Sequence, residues 1–229
     1  MKTDILLQLG LCALSLTAAA AAPATHNGIQ HPLTSNKIIT IHGPNLSSKQ
    51  RIPGHNDAFY GPVPKDEQIF RIELLEIAPS PILVNKYFFI LLRGEIPRST
   101  RQDLHLQPAD LADATLSITG SAVLEKDGEE IEPQRYTIPL RTAELGTEGE
   151  AHLAIRNATG AYVDHLALEG RNDILFDYWI PGPFVVTGKY TFEIEASLWR
   201  KGKGKGEDRR ICLFALTLTQ RLEGEEWPW

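Results

Sequence analysis

Apolar and polar residues alternate most regularly near the end of the chain. Between Tyr190 and Leu198 every second residue is apolar, and Thr, Glu or Ser occupies each position between them. A period of two is the pattern of a β-strand with one buried face. After a Lys/Gly-rich segment, 201–206, the pattern resumes from Ile211 to Gln220, and the apolar residues on one face are Cys212, Phe214, Leu216 and Leu218. The two segments predict an antiparallel β-hairpin.

Two further strands are predicted earlier in the chain, on either side of a Pro-Ser-Pro turn. The segment Ile69–Ile77 begins with the same alternation, but Leu75 and Ile77 fall out of phase with it. A change of phase inside a strand predicts a β-bulge. The segment Tyr87–Ile96 is apolar on both faces as far as Arg93, which favours a position in the middle of a sheet.

The middle of the chain predicts another hairpin and two weaker strands. Residues 116–124 alternate, Asp127-Gly128 supplies a turn, and the return strand runs through 136–140. Pro133, just before this segment, and Pro139 within it predict an edge position for the return strand, because proline lacks the N–H that a central strand donates. The weaker strands are predicted at 152–155 and 174–179, and Asp110 to Thr115 is expected to be a turn. Short strands with no long helical period predict an all-β, immunoglobulin-like β-sandwich of two antiparallel sheets.

The first 22 residues differ in composition from the rest. Lys2 precedes an apolar run from Ile5 to Leu16, and five alanines follow at 18–22. This order is typical of a secretory signal peptide. We therefore expect a secreted protein, either extracellular or in a secretory or vacuolar lumen. The remaining boundaries are a flexible arm at 23–52, one domain at 53–222 and a tail at 223–229.

Charge and cysteine content narrow the classes of partner. The 229 residues carry a formal net charge of −6, which gives no general attraction to nucleic acid. Cys12 belongs to the predicted signal peptide, so Cys212 is left as a lone thiol that we expect to be buried and unreactive. Two sequons, at Asn45 and Asn157, are candidate glycosylation sites.

The order of motifs carries a family resemblance. In the segment 53–96 an Asn and two aromatic residues precede a hydrophobic strand, a Pro-Ser-Pro turn and a second strand; the matching residues are Asn56, Phe59, Tyr60 and Pro79-Ser-Pro81. The chain closes with Gly188-Lys-Tyr190, an alternating strand, a polar hairpin and a last strand. This order resembles the ML lipid-recognition family, which includes the Niemann–Pick type C sterol carrier and the fungal phosphatidylglycerol/phosphatidylinositol transfer proteins. The resemblance covers roughly 53–220.

The chain departs from the family pattern in its cysteines. Gly61 stands where the resemblance implies a cysteine that is bridged to the last strand, and Cys212 is the partner that this bridge would have. Cysteines for the family's other bridges are also absent. Loss of a native disulfide costs about 2–5 kcal/mol. The core must supply that stability. The missing cysteines weaken the inference of a particular ligand from the resemblance more than they weaken the inference of the fold.

The resemblance implies a lipid held between the two sheets. Tightly packed sheets lie about 10 Å apart and leave no hole, whereas sheets that splay at one edge leave an apolar slot. Each CH₂ group transferred from water contributes about 0.8 kcal/mol, so a sterol or a phospholipid suits such a slot. The candidate wall residues face inward on four predicted strands: Phe70, Ile72, Leu74, Phe88, Ile90, Leu92, Phe192, Ile194, Phe214 and Leu216. The apolar segment 184–186 is a candidate rim, and a solid core is the alternative role for all of these residues.

No residue pattern points to an enzyme, a metal site or a cofactor. The seven histidines lack metal-ligand spacing, and the chain has no G-x-S-x-G, HExxH or Walker motif. We therefore expect a non-enzymatic protein without a cofactor. We also expect a monomer, and the resemblance implies a lipid as its partner. Lys201, Lys203 and Lys205 could contact anionic headgroups, or could simply form a solubilising turn. The alternative functions are an adhesion or recognition module and a protein-binding effector, each with a solid core.

Overall fold

The computed structural model describes residues 50–126, 128–145, 151–180, 185–200 and 209–224. Several sequence predictions lie outside these ranges and stay predictions: the signal peptide, most of the arm with Asn45, Asp127 of the predicted turn, the Lys201, Lys203 and Lys205 loop, Phe184, and the tail from 225 onward.

Twelve strands, two short α-helices and a 3₁₀ helix at Lys65–Glu67 make up the secondary structure of the described residues. The strands are β1 (Ala58–Tyr60), β2 (Arg71–Ala78), β3 (Ile82–Leu83), β4 (Tyr87–Glu95), β5 (Thr115–Leu124), β6 (Glu130–Pro139), β7 (Ala143–Leu145), β8 (Ala151–Arg156), β9 (Tyr162–Val163), β10 (Arg171–Trp179), β11 (Gly188–Arg200) and β12 (Arg209–Glu223). The α-helices are α1 (Arg98–Asp103) and α2 (Pro108–Ala112), and both lie between β4 and β5.

The strands form two six-stranded sheets. The first has the order β1-β12-β11-β5-β6, with β3 added to β12, and the second has the order β2-β4-β10-β8-β7, with β9 added to β8. All neighbours are antiparallel except β3 and β12. The prediction of an all-β, immunoglobulin-like sandwich is confirmed.

The long strands lie where the alternation predicted them. β11 and β12 pair from Gly188–Leu222 to Arg200–Arg209 as the predicted hairpin. β2 shifts register between Ile72 and Leu74, which is the predicted bulge. β4 lies between β2 and β10, and β6 ends its sheet, so the predicted central and edge positions are both confirmed.

The segment between β4 and β5 differs from the prediction of strands and turns alone. Where a turn was expected from Asp110, α2 begins at Pro108, and the carboxylate of Asp110 accepts a hydrogen bond from the backbone N–H of Gln107 at 2.7 Å. Proline at the first helical position and a reciprocal cap stabilise this start. A helix of only five residues is too short to show a 3.6-residue period, so the pattern did not reveal it.

The folded region begins before Pro53. Ile52 is buried, and its N–H donates to the carbonyl of Ala58. Asn56 joins this turn to β2, because its side-chain amide donates to the carbonyl of Leu75 at 2.8 Å and its Oδ1 accepts from the N–H of Ala58. The last residues of the predicted arm are therefore part of the sandwich.

One edge of the sandwich is closed by backbone contacts between the sheets. The N–H of Phe70 donates to the carbonyl of Leu213 on β12 at 2.7 Å, just before β2 begins in the other sheet. The rings of Phe70 and Phe214 pack at 5.7 Å between centroids. These contacts hold the sheets together along β12 and β2, so any space between the sheets must lie elsewhere.

Candidate ligand pocket between the two sheets

An apolar pocket of about 240 Å³ lies between the sheets. Both sheets contribute to its lining, through β4, β7, β8 and β10 on one side and β3, β5, β6, β11 and β12 on the other. It reaches the end of the sandwich where β4 and β11 begin and where β10 and β12 end, which we call the pocket end. The opposite end, where Arg200 and Arg209 lie, we call the hairpin end.

Three features of β5 and its neighbours leave this space open. Gly120 faces the pocket without a side chain, and a Cβ built there would meet only the ring of Phe192, at 3.5 Å. The register of β5 and β6 shifts between Gly120 and Ala122, which bends the strand away from regular pairing. Ile118 and Phe192 point between the sheets yet are only partly buried. The core is therefore incomplete on this side of the sandwich.

Aromatic rings form two walls of the pocket. On the second sheet, Phe88 packs against Phe176 at 6.1 Å and edge-on against Tyr178 at 6.0 Å. On the first sheet, Tyr190 and Phe192 stack at 6.5 Å. Ring pairs of this kind hold each other in place, so the two walls can bind an apolar ligand without collapsing onto each other.

The polar groups of the lining lie mainly along β5 and β6. The Tyr190 hydroxyl donates to the carbonyl of Val186 at 2.8 Å, so it is already satisfied. Ser121, Gln134 and Tyr136 make no side-chain hydrogen bond to any other described residue. Burial raises the pKa of the Tyr136 and Tyr190 hydroxyls, which keeps both neutral. No Asp, Glu, Lys, Arg or His belongs to the lining within the described part of the chain.

The structure places four of the ten predicted wall residues in the lining. These are Phe88, Ile90, Phe192 and Ile194, two from each sheet. The segment predicted as a rim contributes Val185. Phe88, Ile90, Phe192 and Val185 lie in the half of the sandwich nearer the pocket end, and Ile194 lies at the middle of β11.

The other six predicted wall residues lie outside the lining. Phe70 and Phe214 fill the closed edge, Ile72, Leu92 and Leu216 are buried in the solid part of the core, and Leu74 is half-buried. Leu74 is displaced because the bulge in β2 puts it opposite Arg93, on the outer face of the second sheet. The other five point inward as predicted, but the alternation gives no information about where along a strand the sheets separate.

Sequence reasoning missed most of the polar side of the pocket. Ser121 and Gln134 lie beside the bulge in the pairing of β5 with β6, and Tyr136 follows on β6. The alternation did place Ile118 and Gly120 on one face, and a glycine inside a strand is a known sign of a bulge or a close approach. That signal was present in the sequence.

Charged groups cluster on the outer face of the second sheet, away from the lining. Asp173, 8% exposed, accepts from Arg93 at 2.7 Å and from Arg156 at 3.3 Å, and Arg171 lies at 3.9 Å. The hydrogen bond from Arg93 lowers the pKa of Asp173. Towards the pocket end of the same face, His152 and Asp177 approach to 2.7 Å.

The described residues contain no group of three or more His, Cys, Asp or Glu side chains placed to hold a metal ion. No helix in the described ranges is long and apolar enough to cross a membrane. Asn157 lies in the β8–β9 loop at the hairpin end, where its Oδ1 accepts from the hydroxyl of Thr159 at 2.7 Å.

Cys212 lies on a different face from the one predicted. A register shift at Ala196/Ser197 leaves Leu213 as an extra residue, so that Cys212 pairs with Ser197 while Phe214 pairs with Ala196. Cys212 is therefore out of phase with Phe214, and it is half-buried rather than buried. Its thiol is unpaired by any disulfide.

Comparison with known proteins assigns the chain to no family. No protein-family model matches the chain, and no curated protein matches it. Among solved structures, the chain is similar to AggA, the major subunit of aggregative adherence fimbriae type I from Escherichia coli. The two are 12% identical with a TM-score of 0.27, and the match covers 66% of this chain and 94% of AggA. A likeness at this level supports no statement about function.

Proposed function

We propose that the protein is a secreted carrier that binds a lipid in the pocket between its two sheets. The observation that carries this proposal is the pocket itself, which is lined from both sheets by apolar and aromatic side chains and by no charged residue among those described. Concave apolar sites with a few polar groups are typical of small-molecule binding. The resemblance to the ML lipid-recognition family supports the same function, and no catalytic role is needed to account for the site.

The composition of the lining favours a ligand with an uncharged polar end. Ser121, Gln134 and Tyr136, whose side chains have no hydrogen-bond partner among the described residues, offer donors and acceptors at one edge of an otherwise apolar pocket. An ionised carboxylate or phosphate would lose hydration there without gaining a cation. A hydroxyl group would keep its hydrogen bonds, so a sterol or another lipid alcohol fits the lining better than a phospholipid whose head enters the pocket.

Native mass spectrometry of the secreted protein tests the proposal most directly. We expect a co-purified lipid that organic extraction removes, and we expect the stripped protein to take up lipid again. A matched pair of probes, 1-dodecanol and dodecanoate at pH 8, tests the polar end. The alcohol should bind at least about tenfold more tightly, because the ionised carboxylate has no partner in the lining.

A pocket-filling variant gives the control. Gly120→Leu directs a side chain into the pocket beside Phe192, whereas Val123→Leu enlarges an exposed residue on the same strand. We expect Gly120→Leu to abolish uptake and Val123→Leu to leave it unchanged. If neither extraction nor uptake detects a lipid in the wild type, the carrier function is wrong and the sandwich is better regarded as a recognition module.

A further inference from the structure

Exposed apolar side chains are concentrated at the pocket end. Tyr87 and Phe89 are 47% and 56% exposed on the outer face of β4, Val123 is 46% exposed on β5, and Val186 is 38% exposed in the segment before β11. Their immediate neighbours Phe88 and Val185 line the pocket. Exposed apolar residues and residues of the pocket wall are therefore direct neighbours in the sequence.

Backbone contacts bring these residues to the same end of both sheets. The N–H of Glu125, two residues after Val123, donates to the carbonyl of Thr187, next to Val186, at 3.0 Å. On the other sheet, Tyr87 pairs with Trp179 at the ends of β4 and β10. The short β3, which precedes β4 in the chain, pairs with the end of β12 and joins the two sheets there.

Charge at this end is mixed, with a slight excess of acidic residues among those described. Lys86 precedes Tyr87, Lys189 pairs with Val123, and Lys126 is in the β5–β6 turn. The acidic residues there include Glu125 and Glu223, which share Arg221 as an ion-pair partner, and also Glu129 and Glu130. Three lysines and one arginine thus meet four glutamates, and Asp177 and Glu144, which both neighbour His152 on the second sheet, add further acidic charge. Such a surface has no strong preference for an anionic partner and gains most from burying its apolar side chains.

From these observations we infer that the pocket end docks onto the surface of a zwitterionic phospholipid bilayer. Exposed tyrosine and phenylalanine side chains suit the boundary between headgroups and acyl chains, and flanking lysines can keep their charges in the headgroup layer. Docking in this orientation brings the pocket against the source of its ligand. This inference rests on the proposed carrier function, because only a lipid carrier needs that alignment.

This orientation differs from contact through Lys201, Lys203 and Lys205. Those lysines lie outside the described residues, but Arg200 and Arg209 on either side of them are at the hairpin end. Leu116, the lining residue of the first sheet nearest that end, pairs with Ala196, which is four residues from Arg200, or about 13 Å along the strand. A contact through the hairpin end would hold the pocket away from the bilayer.

Flotation with phosphatidylcholine vesicles tests the inference with two matched double variants. Tyr87→Thr/Phe89→Thr removes exposed aromatic surface at the pocket end. Tyr162→Thr/Trp199→Thr removes residues that are 69% and 61% exposed at the hairpin end. We expect the first variant to bind vesicles at least about tenfold more weakly than the wild type and the second to bind like the wild type. Raising the salt concentration about tenfold, from about 50 to about 500 mM, should change vesicle binding by the wild type by less than about twofold.

Lipid uptake from solution, without vesicles, separates this inference from the proposed function. Both double variants should take up 1-dodecanol as the wild type does, since neither alters the pocket lining. Failure of uptake in the wild type overturns the carrier function. If uptake is normal, three results overturn the docking inference alone. These are equal vesicle binding by all three proteins, no binding to phosphatidylcholine vesicles, and binding that requires anionic lipid and is lost at high salt.

Discussion

At the scale of single residues, Cys212 shows how its surroundings change a side chain's chemistry. The pKa of its thiol is raised to about 12, mainly by burial and secondly by the nearby carboxylate of Glu195. Because the thiolate is the reactive form, we expect native Cys212 to react with a thiol reagent at pH 8 about a hundredfold or more slowly than in the urea-unfolded protein. Stopped-flow labelling in both states measures the ratio. Equal rates would mean that the thiol is freely solvated.

Asp173 is the residue whose charge matters most to the outer face of the second sheet. Since its hydrogen bond from Arg93 lowers its pKa, its contribution is present in full above the unfolded pKa of about 3.9 and is lost as pH falls through the lower folded value. We expect Asp173→Asn to reduce the free energy of unfolding at pH 7 by about 2 kcal/mol. Below about pH 4, which is near the pKa of an ordinary aspartate, the free energy of unfolding should fall less steeply with pH in this variant than in the wild type.

Urea unfolding at a series of pH values measures both effects, and Asp57→Asn is the control. Asp57 pairs with Arg51 on the surface, where both side chains are mostly exposed. The control should therefore change stability by less than about 0.5 kcal/mol. A similar loss in both variants would contradict a special role for Asp173.

At the scale of elements, Gly94 fixes how closely β2 can pair with β4. A Cβ on Gly94 would lie 2.3 Å from the carbonyl oxygen of Arg71 and 2.5 Å from the ring of Phe70. Gly94→Ala must therefore push β2 away at the closed edge, and we expect a loss of about 2–4 kcal/mol. Gly120→Ala places its methyl group in the pocket at an ordinary distance from Phe192, and we expect a change below about 1 kcal/mol.

Thermal and urea unfolding of the two glycine variants give the comparison. Both glycines are in strands and both gain one methyl group, so backbone propensity is matched. If the two variants were equally destabilised, the open space beside Gly120 would not exist in solution.

At the scale of the whole molecule, the pocket means that the sandwich lacks part of its core when no ligand is bound. A ligand that binds only the folded state stabilises it by about 2.7 kcal/mol at a hundred times its Kd. For a domain of this size that corresponds to a rise in Tm of about 5–10 °C. We expect 1-dodecanol to produce this rise in the wild type and not in Gly120→Leu, and differential scanning calorimetry measures it. A rise in both proteins would indicate a binding site elsewhere.

Alternation alone determined the all-β class, the long strands and the bulge in β2, because these depend on which face of each strand is apolar. The prolines of β6 determined its edge position, because they lack the N–H that a central strand donates. Alternation also placed Phe88, Ile90, Phe192 and Ile194 on inward faces. The strands of two or three residues and the helices of five and six residues escaped prediction, since such segments are too short to display a strand or a helix period.

Only the tertiary structure decided which inward residues line a pocket and which fill a core. Phe70 and Phe192 both lie in segments where apolar and polar residues alternate. Phe70 is buried at the edge where backbone hydrogen bonds join β12 to the residues just before β2, whereas Phe192 faces the space left by Gly120. A register shift likewise turned Cys212 away from its predicted neighbours. The separation of two sheets and the register of two strands depend on residues far apart in the chain, so the order of apolar and polar positions within one strand does not contain them.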